Sequence, residues 1–280
     1  MPDPAVSVVV PTRNRAEYLR VTLASLADQP TDTPYEVIVV DDGSDDETAL
    51  LAQQMGAQVI RHEQSRGPNA ARNSGIDAAR APLIALIDDD VRTPPGWVTA
   101  LATGADEHRW AEAIGGPIRA ALEGPAPHSC GRESAPITTL DLGPRDCETD
   151  FVWSANMTVR RSAIERIGAF DESVPIYGDE EEWLMRLHRN GGRVAYVAAA
   201  WLEHRRVGDD ARLRSLARAE YRRGKAARRN DRRKGTELTF ARELRHVAGA
   251  SWHTARRRCP QGLVMVAHSA GRIVEALRQR

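Results

Sequence analysis

The chain has 280 residues, 41% of them hydrophobic and 28% charged, which is the composition of an ordinary globular protein able to bury a full core. No apolar run is long enough to span a bilayer, and the N-terminus lacks the basic stretch of a secretory signal. Cys130, Cys147 and Cys259 have no C-x-x-C spacing, which argues against a disulfide framework or a zinc site and indicates a reducing cytoplasm.

The net charge of zero conceals an uneven distribution of charge along the chain. Residues 205–280 hold 21 Lys and Arg against 7 Asp and Glu, whereas residues 1–204 hold 18 against 32. An acidic body followed by a basic extension predicts a catalytic body and an appendage that meets something anionic.

The first third of the chain alternates predicted strands and helices. The strands are short apolar runs at residues 6–10, 35–40, 58–61 and 83–87. Asn14 with Glu17, and Ser44 with Glu47, have the spacing of capping boxes that open helices through about residues 26 and 55. A third helix follows Gly67-Pro68-Asn69. This β-α-β-α order with short turns predicts an α/β fold with a mostly parallel sheet.

Carboxylates follow two of these predicted strands. Asp41 and Asp42 end the second strand, and Asp88, Asp89 and Asp90 end the fourth. Ligands of open α/β sheets bind at the carboxyl ends of the strands. Because clustered carboxylates repel each other, a cation is expected among them, and a hard divalent ion with open positions for phosphate oxygens fits best. The alternative is a solvated acidic turn.

The second half of the chain is less regular. A helix is predicted from residue 97, strands at 113–118, 151–159 and 194–197, and a short helix within 164–170. Residues 120–150, rich in Pro and Gly, predict a long functional loop. An amphipathic helix follows Gly178 and starts with four acids, a pattern that helix capping alone could also explain. Residues 206–280 predict a basic, mainly helical C-terminal extension.

The chain lacks the glycine-rich motifs that mark two large classes of nucleotide-binding enzymes. No G-x-G-x-x-G follows the first strand, and no G-x-x-x-x-G-K-[ST] occurs anywhere in the chain. The dinucleotide-dependent dehydrogenases and the P-loop enzymes therefore lack their main sequence evidence.

Seven motifs in order resemble one known family. They are P-T-R-N-R at 11–15, V-D-D-G-S at 40–44, A-R-N-S-G at 71–75, L-I-D-D-D at 86–90, W-S-A-N-M-T-V-R-R at 153–161, F-D-E at 170–172 and G-D-E-E-E-W-L-M-R-L at 178–187. Together they resemble bacterial family 2 inverting glycosyltransferases of the GT-A fold, over about residues 5–205. The resemblance implies a Rossmann-like, mostly parallel sheet flanked by helices. It also implies a donor-binding half at 1–110 and an acceptor-binding half at 111–205.

The resemblance also implies roles for individual residues. The nucleotide-sugar-binding set would be Pro11, Thr12, Arg13, Asp41, Asp42, Arg72, Asp88 and Asp89. Asp88 and Asp90 would bind Mn²⁺ or Mg²⁺ against the donor diphosphate, and His204 lies where some members place an extra metal ligand. The alternative for His204 is an exposed surface histidine.

Trp153 and Ser154 would face the sugar and the acceptor, although Trp153 could instead belong to the core. The segment that would carry the general base departs from the family pattern. The family commonly has Glu-Asp after the glycine at 178, whereas this chain has Asp179-Glu180. By position Glu180 matches the base, and by residue type Asp179 matches it, so both are candidates, with Glu180 favoured.

The sequence is compatible with several partners and with two other functions. The donor would be a nucleotide sugar, and the acceptor a glycan, a lipid-linked glycan or a small molecule. The basic extension could contact an anionic membrane at its inner face, pack on the acidic body, or form a homodimer. A sugar nucleotidyltransferase would share the metal carboxylates but should have a Gly-rich loop after the first strand. A nucleic-acid-binding role for the tail has no supporting motif.

Overall fold

The computed structural model describes residues 3–127, 130, 136–174 and 178–278. They fall into two compact units. The N-terminal unit takes its residues from Met1–Arg119, Thr139–Val174 and Asp179–His204. The C-terminal unit takes its residues from Ala120–Thr138, Pro175–Gly178 and Arg205–Arg280.

The strands are β1 (Val6–Thr12), β2 (Tyr35–Asp41), β3 (Gln58–Arg61), β4 (Leu83–Ile87), β5 (Val91–Arg92), β6 (Ala113–Gly115), β7 (Ile118–Glu123), β8 (Cys147–Thr149), β9 (Asn156–Arg160), β10 (Val194–Tyr196) and β11 (Leu202–Val207). The α-helices are α1 (Ala16–Ala27), α2 (Thr48–Gln54), α3 (Pro68–Ala78), α4 (Trp97–Glu107), α5 (Arg161–Ile167), α6 (Asp179–Arg189), α7 (Leu213–Arg233), α8 (Phe240–Arg257) and α9 (Gln261–Arg278).

Eight strands form one sheet in the order β3-β2-β1-β4-β9-β6-β10-β8. Strands β3, β2, β1 and β4 are parallel, β9 runs antiparallel between β4 and β6, and β8 is antiparallel to β10. A second sheet has the order β5-β11-β7. The predicted α/β fold with a mostly parallel central sheet is thus confirmed.

The centre of the large sheet is buried on both sides, as its continuous apolar runs predict. In β4, Leu83, Ala85 and Ile87 belong to one hydrophobic cluster, while Ile84 and Leu86 belong to a second. Side chains alternate in the same way along β1, where Val8 belongs to the first of these clusters and Val9 to the second. This rigid core fixes the strand ends at which the acidic residues lie.

The two predicted capping boxes are wrong, because both cap residues make other contacts. Asn14 adopts a left-handed backbone with φ of 52°, and its side chain accepts the N–H of Asp45 at 2.8 Å. Ser44 accepts the N–H of Asn14 at 2.9 Å. These side chains therefore tie the loops after β1 and β2 together, and neither α1 nor α2 has a side-chain cap.

The predicted strand at 113–118 is divided in two by a close approach of the backbone. A Cβ on Gly116 would lie 1.9 Å from the carbonyl oxygen of Ala200, so only glycine fits there. Residues 116–117 separate β6 from β7, and the predicted strand at 151–159 likewise starts only at Asn156.

The C-terminal unit contains three α-helices within its described residues, namely α7, α8 and α9. Leu216 of α7 packs against Val264 of α9, with Ile137 beside them. Glycines let these helices approach closely, since a Cβ on Gly224 would lie 2.0 Å from the carbonyl oxygen of His268. Within the described part of the chain, no helix has the length and apolarity needed to cross a membrane.

Candidate functional site

The candidate site lies where β1, β2 and β4 end together in the N-terminal unit. Parallel pairing aligns the strands, so the residues after them share one edge of the sheet. The hydroxyl of Thr12 donates to Asp89 at 2.7 Å, and the N–H of Asp42 donates to the carbonyl of Thr12 at 2.9 Å. Two acidic segments that are far apart in sequence are thus joined at this edge.

Asp88, Asp90 and His204 form a cluster that could hold a metal ion. Their ligand atoms all lie within 4.8 Å of one another, and Nε2 of His204 is 3.0 Å from a carboxylate oxygen of Asp90. β11 pairs with β5 so that His204 is opposite Val91, directly after the acids. His204 is only 2% exposed, which excludes the surface-histidine alternative.

The chemistry of these donors fits Mn²⁺ or Mg²⁺. Carboxylate oxygens suit both ions, and an imidazole nitrogen among them suits Mn²⁺. Asp88 keeps a third of its side chain exposed, whereas Asp90 is almost fully buried. The cluster is therefore open on one side, as required for an ion that must also meet ligand oxygens.

Arg15 is an important site residue that the sequence analysis missed. Its guanidinium contacts Asp89 at 3.0 Å and Asp90 at 2.6 Å, and it stacks over the ring of Tyr18 at 4.2 Å. Arg13, the arginine that the motif singled out, is exposed. Arg15 belongs to the P-T-R-N-R motif, but the motif alone does not distinguish it from Arg13.

The carboxyl group of Asp89 has a raised pKa. Burial raises the pKa of Asp89 to about 7, although the guanidinium of Arg15 opposes the shift. Asp90 and Asp88 add to the increase, because each neighbouring negative charge disfavours a further one. The electrostatics of this edge therefore favour an additional positive charge.

Arg72 connects the acidic edge to the start of α6. It projects from α3, is 7% exposed, and hydrogen bonds the carboxylate of Asp179. Its other nitrogen donates to Ser154 at 3.1 Å and lies 3.7 Å from Asp88. Arg72, which was predicted to bind the nucleotide-sugar donor, thus lies beside the two candidate bases, Asp179 and Glu180.

Asp179 and Glu180 are hydrogen bonded to each other and have opposite pKa shifts. Burial alone would raise the pKa of Asp179, but Arg72 and the hydrogen bond from Glu180 hold it below its ordinary value. Burial and the charge of Asp179 raise the pKa of Glu180 well above its ordinary value. Arg72 therefore favours the ionised form of Asp179, and the negative charge of Asp179 favours the protonated form of Glu180.

Asp42 organises the loop that follows β3. It accepts hydrogen bonds from His62, Ser65 and the N–H groups of Arg66 and Gly67, at 2.7 to 2.9 Å. Burial would raise the pKa of Asp42, but these bonds hold it below its ordinary value. Asp41 is fully buried and accepts the N–H of Ser44 at 3.1 Å. His62 was not found from the sequence, because its link to Asp42 spans 20 residues.

Trp153 is partly buried against the core and contacts Phe151 edge to face at 4.7 Å. Trp153 therefore packs on the core and also keeps part of its side chain exposed. Ser154 is 7% exposed and accepts the hydrogen bond from Arg72. Pro11 is partly buried at the end of β1.

Comparison with known proteins identifies related sequences. Residues 7–168 match the model of glycosyl transferase family 2. The chain is 33% identical over 208 residues to a pre-mycofactocin glycosyltransferase of Mycobacterium tuberculosis, a match that covers 71% of this chain and 42% of the relative. It is 29% identical over 230 residues to a validoxylamine A glucosyltransferase of Streptomyces hygroscopicus subsp. jinggangensis, covering 71% of this chain and 54% of that protein. The chain thus spans about half or less of these relatives.

Comparison of structures identifies the fold. A mannosyltransferase from Pyrobaculum calidifontis, solved in complex with GDP-Man and Mn²⁺, is similar to 99% of this chain, which covers 88% of that structure. The TM-score is 0.67 at 16% sequence identity. This likeness, with the sheet order described above, establishes the GT-A fold.

Proposed function

The chain belongs to glycosyl transferase family 2, and we propose that it transfers a sugar from a nucleotide-diphosphate sugar to an acceptor hydroxyl, with inversion at the anomeric carbon. The observation that supports this most is the connection of two groups of residues through Arg72. One group is the cation cluster of Asp88, Asp90 and His204, and the other is the Asp179–Glu180 pair. Glycosyl transfer needs both, one for the leaving group and one for the nucleophile.

In this proposal, Asp88, Asp90 and His204 hold Mn²⁺ or Mg²⁺ beside the donor diphosphate. Such an ion supplies Lewis-acid stabilisation of the negative charge that develops on the leaving phosphate. The complexes of the structural neighbour with GDP-Man and Mn²⁺ support the same donor class and cofactor here. Arg72, which already lies 3.7 Å from Asp88, adds a fixed positive charge near the diphosphate.

The nucleotide and ribose lie, in this proposal, against the segments after β1 and β2. Pro11, Thr12 and Arg13 line the pocket, and Asp89 is near the ribose or sugar. Asp41 and Asp42 shape its wall, because the oxygens of Asp42 already hold the loop of residues 62–67. Donor binding thus belongs to residues 1–110 and acceptor binding, with Trp153 and Ser154, to residues 111–205.

Glu180 acts as the general base in this proposal. An acceptor hydroxyl is a poor nucleophile, so a carboxylate within hydrogen-bond reach must take its proton. Arg72 holds the carboxylate of Asp179, which leaves the ionised carboxylate of Glu180 to accept the proton of the acceptor hydroxyl. Asp179 serves as the residue that positions Arg72 and Glu180.

A donor screen tests the proposed reaction. We expect the protein, given a panel of nucleoside-diphosphate sugars and Mn²⁺, to release a nucleoside diphosphate slowly from at least one of them even without an acceptor. The competing sugar nucleotidyltransferase would instead produce pyrophosphate from a nucleoside triphosphate and a sugar phosphate. Pyrophosphate release without any nucleoside diphosphate release would contradict the proposal.

The C-terminal unit offers a surface for an anionic membrane, which we propose as a peripheral contact. Leu216 of α7 is buried against α9, so the apolar stripe of α7 is covered. Helix α8 instead exposes Leu244 at 60% and Trp252 at 69%, and exposed Arg245 and Arg256 lie on the same helix. Exposed apolar side chains flanked by arginines match the chemistry of an anionic lipid surface.

Vesicle co-sedimentation measures this contact. We expect the protein to sediment with vesicles containing phosphatidylserine, to bind neutral vesicles little, and to be released at high salt, since each basic residue contributes about 1 kcal/mol at low salt. The double replacement Leu244→Ala with Trp252→Ala should reduce binding. Trp110→Ala, a change of an exposed tryptophan in the N-terminal unit, should not.

Three results of this experiment would remove the membrane proposal. One is a protein that stays in the supernatant at low salt. Another is binding to duplex DNA in place of vesicles, which would assign the basic surface to nucleic acid. The third is a concentration-dependent dimer that is lost with the same double replacement, which would assign α8 to a homodimer interface.

A further inference from the structure

Two cysteines and a histidine that are distant in sequence meet in the C-terminal unit. Cys130, His253 and Cys259 offer ligand atoms that all lie within 4.8 Å of one another. The Sγ of Cys130 is 3.4 Å from Nε2 of His253, across 123 residues of chain. The lack of C-x-x-C spacing argues against a zinc site, but the fold brings the three side chains together without that spacing.

We propose that Cys130, His253 and Cys259 form a zinc site in the C-terminal unit. Thiolate sulfur and imidazole nitrogen are the ligands that Zn²⁺ prefers, whereas carboxylate oxygens suit Mn²⁺ and Mg²⁺. The three residues belong to the same compact unit and are separate from Asp88, Asp90 and His204. The proposal is therefore independent of the proposed glycosyl transfer.

The geometry is close to that of a tetrahedral zinc site. With usual Zn–S and Zn–N lengths, neighbouring sulfur and nitrogen ligands are about 3.6 Å apart. The 3.4 Å between Cys130 and His253 is near this value, so a small adjustment would admit the ion. Three protein ligands leave a fourth position, and Cys130 and His253 are both partly exposed, so water can fill it.

The surroundings of Cys259 fit a metal-bound thiolate. Cys259 is fully buried in the turn between α8 and α9, and backbone N–H groups of Cys130 and Gln261 hydrogen bond its sulfur. Such donors stabilise a thiolate and fix its direction toward a metal. His253 projects from the last turns of α8, so the helix holds its ring in place.

Zinc at this site would cross-link two parts of the C-terminal unit. It would join Cys130 to the α8–α9 turn, closing a long stretch of chain. Metal binding that requires the folded arrangement stabilises that arrangement. The expected consequence is a C-terminal unit whose stability depends on zinc and whose helix α8 is fixed at its C-terminal end.

Cobalt substitution tests the site through its sulfur ligands. We expect the reduced full-length protein, titrated with Co²⁺, to develop sulfur-to-cobalt charge-transfer absorption that saturates at one equivalent and is abolished by Zn²⁺. The absorption should be lost in Cys130→Ser and Cys259→Ser and should need at least 10-fold more Co²⁺ in His253→Ala. Cys147→Ser, a change of an exposed cysteine elsewhere, should behave as the wild type.

A second measurement needs no variant, so that misfolding of a mutant cannot mimic the result. Zn²⁺ should slow alkylation of Cys130 in the wild-type protein at least 10-fold and leave alkylation of Cys147 unchanged. Absence of the charge-transfer band with equal alkylation rates would overturn the proposal. So would a Cys130–Cys259 disulfide, seen as a mass lower by two hydrogens in protein isolated from a reducing cytoplasm.

Discussion

Asp90→Ala should reduce glycosyl transfer by roughly 10³-fold or more, since loss of a metal that stabilises a leaving group removes several kcal/mol of transition-state stabilisation. Asp90 is 4% exposed and contacts both His204 and Arg15, so its carboxylate has a central place in the cluster. Initial rates of nucleoside diphosphate release across a range of Mn²⁺ concentrations measure the effect.

The control for this variant is Asp77→Ala, because Asp77 is an exposed carboxylate of α3 outside the cluster. It should keep wild-type activity and wild-type dependence on Mn²⁺. Circular dichroism should show both variants folded. Full activity of the wild type in excess EDTA would refute a role for the metal.

Glu180→Gln should lower turnover by ~10²–10⁴-fold, the usual contribution of a general base, while nucleotide affinity changes little. Glutamine keeps the size of the side chain but cannot accept the proton. In the wild type, activity should fall as the pH drops through the pKa of Glu180, and this decline should begin above the ordinary range for glutamate because that pKa is raised. The pH profile of turnover and the nucleotide affinity are the two measurements.

Glu181→Gln, one residue further along α6, is the control and should be close to wild type. Asp179→Asn should behave differently from Glu180→Gln, because it removes the partner of Arg72 and so weakens donor binding as well as turnover. If Asp179→Asn loses turnover with unchanged nucleotide affinity and Glu180→Gln remains active, then Asp179 is the base and the assignment is wrong.

The elements of the fold that could be predicted are those whose sequence signals lie within a few neighbouring residues. β3 and β4 have the predicted bounds, because short apolar or β-branched runs between turn residues specify strands directly. The capping boxes failed because Asn14 and Ser44 bond across to another loop, a tertiary contact with no local signature. Helix α8 lies in the extension that was predicted only as mainly helical, and its bounds were not predicted.

The candidate site shows the same limit. The acids after β2 and β4 were predictable, since strand ends meet at one edge of a parallel sheet. The family resemblance placed His204 with the acids, whereas local sequence patterns could not, because its proximity to Asp90 depends on the pairing of β11 with β5. Outside this site, the proximity of Cys130 to His253 spans 123 residues and had no local signal either. Whether Arg13 or Arg15 contacts the acidic residues depends on where α1 begins. The P-T-R-N-R motif contains both arginines and does not specify that position.

The anomeric configuration of the first-formed product tests the central claim most directly. With the donor identified by the screen, water replaces the acceptor, and proton NMR can observe the released sugar before it equilibrates. A single displacement assisted by Glu180 predicts that an α-linked donor gives the β sugar first, with release of the nucleoside diphosphate. First formation of the α sugar would contradict a one-step mechanism with Glu180 as base.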